Sequence, residues 1–466
     1  MRRAQRIFSL LVFTSSFLAG CALTLSPFES VEEKLHYTEE TAGAYQIISD
    51  WWTSYEDPQL NVLVAKALDQ NSNYAKAAIA VNQALYRANL LGADLFPVFS
   101  AQASVFQDKN LKSGSPSESG YAGELSVSYE LDLWRRLSDT ALAKEWEYKA
   151  TVEDRHSAKL ALVNSVIDSY YKLAYQYAAI EIIKQYIANY EKLLETVKQK
   201  YKVGKVSRIE PEQVAQSLLT AQNNLILLEM EYKIAQHTLY NILNISPENN
   251  LDLILPDILA VNSITTDLDV PVAVLANRPD LRAAEYRLRG ALKDVQASQK
   301  EWYPTITLGS ILSSGYDSSR AMFNHHSFFG VVILNLPFLQ WNTIRWKVKI
   351  SQSEYEKLHI EFAEKITTAL NEIDLAWFNY SKYKAMRSNL KQRYEHDITI
   401  SNFYQKRYLS GASELSDWLE SLNTMLDSRL EFLQCQYQVI RHNILIYKVL
   451  AGKYEKSKTL SYPIEK

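Results

Sequence analysis

Between Tyr121 and Asp132 the chain alternates in character: Tyr121, Gly123, Leu125, Val127, Tyr129 and Leu131 take one parity, and Ala122, Glu124, Ser126, Ser128, Glu130 and Asp132 the other. A two-residue period with one apolar and one polar face predicts a β-strand. Phe99, Ala101, Ala103 and Val105 alternate with Ser100, Gln102 and Ser104 in the same way, and the polar stretch Asp108 to Gly120 joins the two strands. A second, less cleanly alternating pair is expected at Thr305 to Ser314 and Phe328 to Phe338, with His325 and His326 in the loop between them. Elsewhere the period changes. Leu415, Leu419, Leu422, Leu426, Leu430, Leu433, Tyr437, Ile440, Ile444 and Tyr447 step by three or four, the seam of a coiled helix pair. Arg135 to Val203 and Leu339 to Ser410 contain neither glycine nor proline, and each is on the order of 100 Å long as a continuous helix. Gln59 to Leu91 and Leu281 to Glu301 are predicted helices, closed off by Pro97 and Pro304. Gly204 and Gly411 end the two long rods, and Glu212 to Asn244 and Leu415 to Ala451 return from them.

These elements occur twice. Leu68, Ala77, Ala84, Pro97, Tyr201, Gly204, Leu219, Tyr240 and Leu243 each have an identical residue 207 positions later, at Leu275, Ala284, Ala291, Pro304, Tyr408, Gly411, Leu426, Tyr447 and Leu450. Leu131 instead matches Leu336, which a two-residue difference in the loop between the strands explains. The chain thus divides into residues 59–244 and 271–451 as two structural repeats, 245–270 as a connector, and a 452–466 tail.

Ahead of the repeats, Arg2, Arg3 and Arg6 precede an apolar run from Ile7 to Leu18, the form of a secretory signal too short to span a bilayer. Leu18-Ala19-Gly20-Cys21 reads as a lipobox, so residues 1–20 are expected to be removed and Cys21 to carry a lipid. The other cysteine, Cys435, lies in a helical pattern and reads as a small core residue. The 50 basic and 53 acidic residues are interspersed without a long basic run, which argues against a nucleic-acid footprint. No phosphate loop, nucleophile elbow or metal-binding motif is present, so neither enzyme activity nor a metal or other cofactor is expected beyond the lipid. Nowhere in the mature chain do about 18 apolar residues run together, so if it crosses a membrane, strands must do it. Four strands cannot close a barrel, for which about eight are the minimum, so copies must combine.

Asp50-Trp51-Trp52 followed by Asp57-Pro58-Gln59-Leu60, Ala276-Asn277-Arg278-Pro279-Asp280-Leu281 before a helix, and Tyr408-Leu409-Ser410-Gly411 at a hairpin resemble TolC-type outer-membrane efflux proteins, specifically their lipoprotein branch. The resemblance spans nearly all of the mature chain. It implies a mainly α fold with a transmembrane β-barrel: a homotrimer whose twelve-stranded barrel continues as a helical barrel through the periplasm. Residues 21–58, 245–270 and 452–466 become a collar. The implied function is an exit duct for drugs or other small molecules, served by a periplasmic adaptor and an inner-membrane transporter. Type I protein secretion is the nearer alternative, and a coiled-coil spacer lipoprotein a further one. The resemblance also implies a periplasmic gate where the rods turn. Asp417 and Glu420, three residues apart on one helix face, match the family's acidic constriction; by themselves they are also the acidic first turns of a helix. Tyr408 matches a latch tyrosine and Glu210 its acceptor. The family's latch arginine falls at Ser413, leaving Arg208 as the candidate substitute.

Overall fold

The computed structural model describes residues 28–39, 45–108, 118–249, 251–261, 271–316 and 326–456. Cys21, the signal segment, the strand-joining loops, His325 and most of the C-terminal tail lie outside these residues. After a short strand β1 (Tyr45–Ile48) come helices α1 (Pro58–Gln70) and α2 (Ser72–Ala93), strands β2 (Val98–Asp108) and β3 (Glu118–Leu131), the long helix α3 (Arg136–Lys202) and its return α4 (Ile209–Ile242). The order then repeats: α5 (Pro279–Lys300), β4 (Thr305–Tyr316), β5 (His326–Asn335), α6 (Trp341–Leu409) and α7 (Leu415–Val449), closed by β6 (Lys453–Lys456). Helices α2 and α5 are both 22 residues long, and α6, at 69 residues, is two longer than α3 at 67. Those two residues restore the 207-residue spacing that the shorter second strand hairpin removes. No described helix is long and apolar enough to cross a membrane.

The chain forms two compact units. The first, comprising the described residues 28–30, 89–108, 118–144, 287–316 and 326–362, contains an antiparallel sheet in the order β2-β3-β4-β5. Its register sets Phe99 opposite Val127 and Val127 opposite Ser310, and sets Ala101, Leu125, Leu312 and Phe328 in one row across all four strands. Paired residues share a face, so the alternating apolar residues of β2 and β3 form one continuous surface with Leu308, Leu312, Phe328, Val332 and Leu334. Leu125, Leu312, Phe328 and Val332 are exposed in the single chain. On the opposite face Ser100 and Ser126 lie with hydroxyls 2.6 Å apart. The fourth strand differs from expectation in extent: it begins at His326, so this histidine belongs to a strand, and it ends at Asn335 because Pro337 opens a 3₁₀ turn. Phe329, Val331 and Ile333 make its second face apolar too, which is why its alternation is obscure in the sequence. Among the described residues, strands β2 and β5 are left as free edges. Beside the sheet, Trp134 stacks on Tyr303 at 4.9 Å and donates its indole N–H to the Pro304 carbonyl at 2.8 Å. Asp139, 2% exposed, is neutralised by Lys293 and Lys300, the pairing that a buried carboxylate needs.

The second unit, the described residues within 31–88, 145–286 and 363–456, holds α1, α4, α7, the greater part of α2, α3 and α6, and the main core. The predicted single helix from Gln59 to Leu91 is broken at Asn71. The Asn71 side chain accepts the N–H groups of Asn73 and Tyr74 and donates to the Ile242 carbonyl, so it caps α2 while tying it to the end of α4. Asp57 caps α1 through Gln59 and Leu60 N–H and also accepts the Tyr170 hydroxyl at 3.0 Å. Eight of the ten seam residues of α7 are buried and Leu422 and Leu430 pack against the same core. Cys435 is buried as well, its thiol 3.5 Å from the Tyr383 carbonyl of α6. The two other resemblance motifs also act as anchors. Trp51, fully buried, stacks on Tyr447 at 4.8 Å. Arg278 grips Asp280 with two N–H donors and Glu372 with a third; burial alone raises the Asp280 carboxyl, but the guanidinium outweighs it and holds the group below the usual range. Strand β1 pairs antiparallel with β6, and Gln436 donates to the carbonyls of Ile258 and Val261. The described residues of the chain from Val31 to Asp57, of the connector and of the C-terminal segment therefore pack within this unit.

Candidate functional site

Both hairpin turns of the second unit are built alike. Lys205 N–H returns to the Lys200 carbonyl and Gly204 N–H to that of Tyr201; Ala412 returns to Arg407 and Gly411 to Tyr408 in the same pattern. This is the Schellman termination of a helix, which needs a left-handed residue, and Gly204 and Gly411 supply it at φ +72° and +77°. A Cβ at either place meets nothing within 4 Å, so glycine is required by the backbone angle and not by crowding.

The turns bring four helix ends together around Tyr408. Its hydroxyl donates to Glu210 Oε2 at 3.1 Å, a contact between residues 198 apart in sequence. Its ring lies 5.6 Å from that of Trp418, and the Lys200 ammonium sits 4.6 Å from the ring centroid. Burial, followed by the Glu210 charge, pushes the Tyr408 hydroxyl up to about 12, so the phenol remains a donor throughout the physiological range. Glu210 lies in the first turn of α4, where backbone N–H groups favour a carboxylate.

The remaining expected residues are placed differently. Asp417 and Glu420 are exposed on one side of α7, Asp417 in its first turn, and among the described residues neither side chain has a partner. Arg208 precedes α4, is exposed, and has no hydrogen-bonding or ionic partner among the described residues, so within the chain it does not stand in for the missing arginine. Ser413 is partly buried and its hydroxyl is unpaired. The cation that does reach Tyr408 is Lys200. Its position four residues before Gly204 places it at the rod's end, but nothing in the sequence pairs it with a tyrosine of the other hairpin. No group of three or more potential metal ligands occurs among the described residues.

The sequence model described as outer membrane efflux protein matches residues 63–244 and 270–452, the two repeats in turn. The chain belongs to that family. Toxin and drug export protein A of Aggregatibacter actinomycetemcomitans is 41% identical over 450 residues, with 97% of this chain and 98% of that one covered. The cation efflux system protein CusC of Escherichia coli is 24% identical over 471 residues, covering 94% and 97%. The fold superposes on the crystal structure of the Campylobacter jejuni CmeC outer membrane channel with a TM-score of 0.80 at 19% identity, over 94% of this chain and 95% of that one. This chain is therefore an outer-membrane efflux protein that shares the fold of the CmeC channel.

Proposed function

We propose that this efflux protein works as a homotrimer and serves as the passive exit duct for small molecules delivered by a periplasmic adaptor and an inner-membrane transporter. The observation that carries the reading is the open four-stranded sheet, largely apolar on one face with Leu125, Leu312, Phe328 and Val332 exposed, and with two edges unpaired among the described residues. Free edges in hydrocarbon leave backbone groups unsatisfied, so β5 must pair with β2 of another copy. Two copies make eight strands filled by their own side chains, whereas three make twelve with room for a lumen. The apolar face then meets lipid, and Ser100, Glu124, Ser126 and Ser128 line the channel. The hairpin ends around Tyr408 form the gate, with Asp417 and Glu420 of each copy ringing the axis.

The chemistry needed is a path and a gate, and no catalytic constellation is required of it. Single-channel recording of the purified protein in planar bilayers, with its mass measured in detergent, tests the reading: a conducting trimer is expected, and a non-conducting particle overturns it. Export of a polypeptide toxin is the second reading, favoured by the name of the 41% identical relative, which joins toxin and drug. Loss of drug tolerance without loss of any secreted protein on gene deletion separates the two.

Cys21 anchors the mature N-terminus through its lipid, in support of sorting more than of retention, since a barrel alone holds the protein in the membrane. Mass spectrometry is expected to find acylated Cys21 as the first residue, and Cys21→Ser behind a plain signal peptide to assemble normally. An unmodified residue other than Cys21 at the N-terminus refutes the anchor.

A further inference from the structure

The Tyr408 ring is held at three points that come from three different helix ends. Glu210, at the start of α4, takes its hydroxyl; Trp418, at the start of α7, lies against its ring; Lys200, at the end of α3, covers it at 4.6 Å. Lys200 is itself fixed by the turn, because its carbonyl accepts the Lys205 N–H at 2.9 Å. Its side chain is partly buried and has no carboxylate partner among the described residues, so the aromatic face is the contact its ammonium makes. A cation over an aromatic face is attracted by the ring's quadrupole, and this attraction survives removal of the hydroxyl, unlike the bond to Glu210. Resting on the gate reading above, we infer that Lys200 is a positioning residue of the closed gate. It orients the Tyr408 phenol toward Glu210, ties the end of α3 to the end of α6, and supplies the cationic link that Ser413 does not.

The test is resting open probability in planar bilayers, using purified full-length protein whose variants are first shown to keep wild-type oligomeric size. Lys200→Met removes the charge at similar length and is expected to raise resting open probability about fivefold or more, and Lys200→Arg to return it to within about twofold of wild type. Lys200→Met adds nothing once Tyr408→Leu has removed the ring, but still acts on Tyr408→Phe, which keeps it. An equal effect of Lys200→Met with and without a ring at position 408 means that the charge acts on the pore potential, and overturns the inference. So does a silent Lys200→Met in a channel that Tyr408→Leu opens, which leaves the gate reading standing. A silent Tyr408→Leu sinks both.

Discussion

Val127→Arg is expected to destabilise the assembled barrel by roughly 2 to 4 kcal/mol if position 127 lies near the bilayer midplane, enough to deplete folded oligomer from the outer membrane. Val127 stands in the middle of β3, in one row with Phe99 and Ser310 and on the face that carries Leu125, Tyr129, Leu312 and Phe328. In the proposed barrel a guanidinium there would have lipid chains as its surroundings. One residue earlier, Ser126 faces the other way, its hydroxyl against that of Ser100. Ser126→Arg should leave the yield of folded oligomer near wild type while changing conductance and ion selectivity, because its charge enters water. Yield of heat-resistant oligomer and single-channel conductance, measured on both variants, distinguish these outcomes. Equal loss of yield from both invalidates the assignment of faces.

The second large effect is expected at the acidic ring. Asp417 and Glu420 are exposed on one side of α7 and have no partner within the chain among the described residues. In the proposed trimer six carboxylates surround one axis, where their fields would add at a narrow, poorly screened place. Replacing both by alanine should weaken block by multivalent cations on the order of a hundredfold, while each single substitution has a smaller effect. Asp417 also stabilises the N-terminus of its helix, by roughly 0.3 to 1 kcal/mol, so Asp417→Asn, which keeps the side chain's size, is the companion variant. Titration of channel block with a trivalent cation is the measurement. Full block in the double variant moves the constriction elsewhere and leaves the two residues as helix-end stabilisers.

Elements whose cause is local were legible in the sequence. The alternation of β2 and β3, the glycine-free rods, the left-handed turns at Gly204 and Gly411 and the seam of α7 each follow from a period or a backbone angle that a few neighbouring residues impose. The break at Asn71 was not, because an asparagine within a helical run becomes a cap only when the Ile242 carbonyl stands ready to receive its amide. Strand β5 was blurred for a related reason. It carries apolar residues on both faces, and periodicity cannot distinguish such a strand from any other apolar run.

The cluster around Tyr408 shows the same division more sharply. Tyr408 and Glu210 could be named from the chain, by matching positions counted from the two turn glycines to a known pattern. Their 3.1 Å bond, and Lys200 above the ring, join residues that come close only when α3 with α4 and α6 with α7 pack as hairpins. The sequence by itself determined the duplication, the elements and the side-chain character of each face, since those are written in spacing. Only the tertiary structure decided the strand register and which cation reaches Tyr408, because packing selects one arrangement among many that the same local preferences allow.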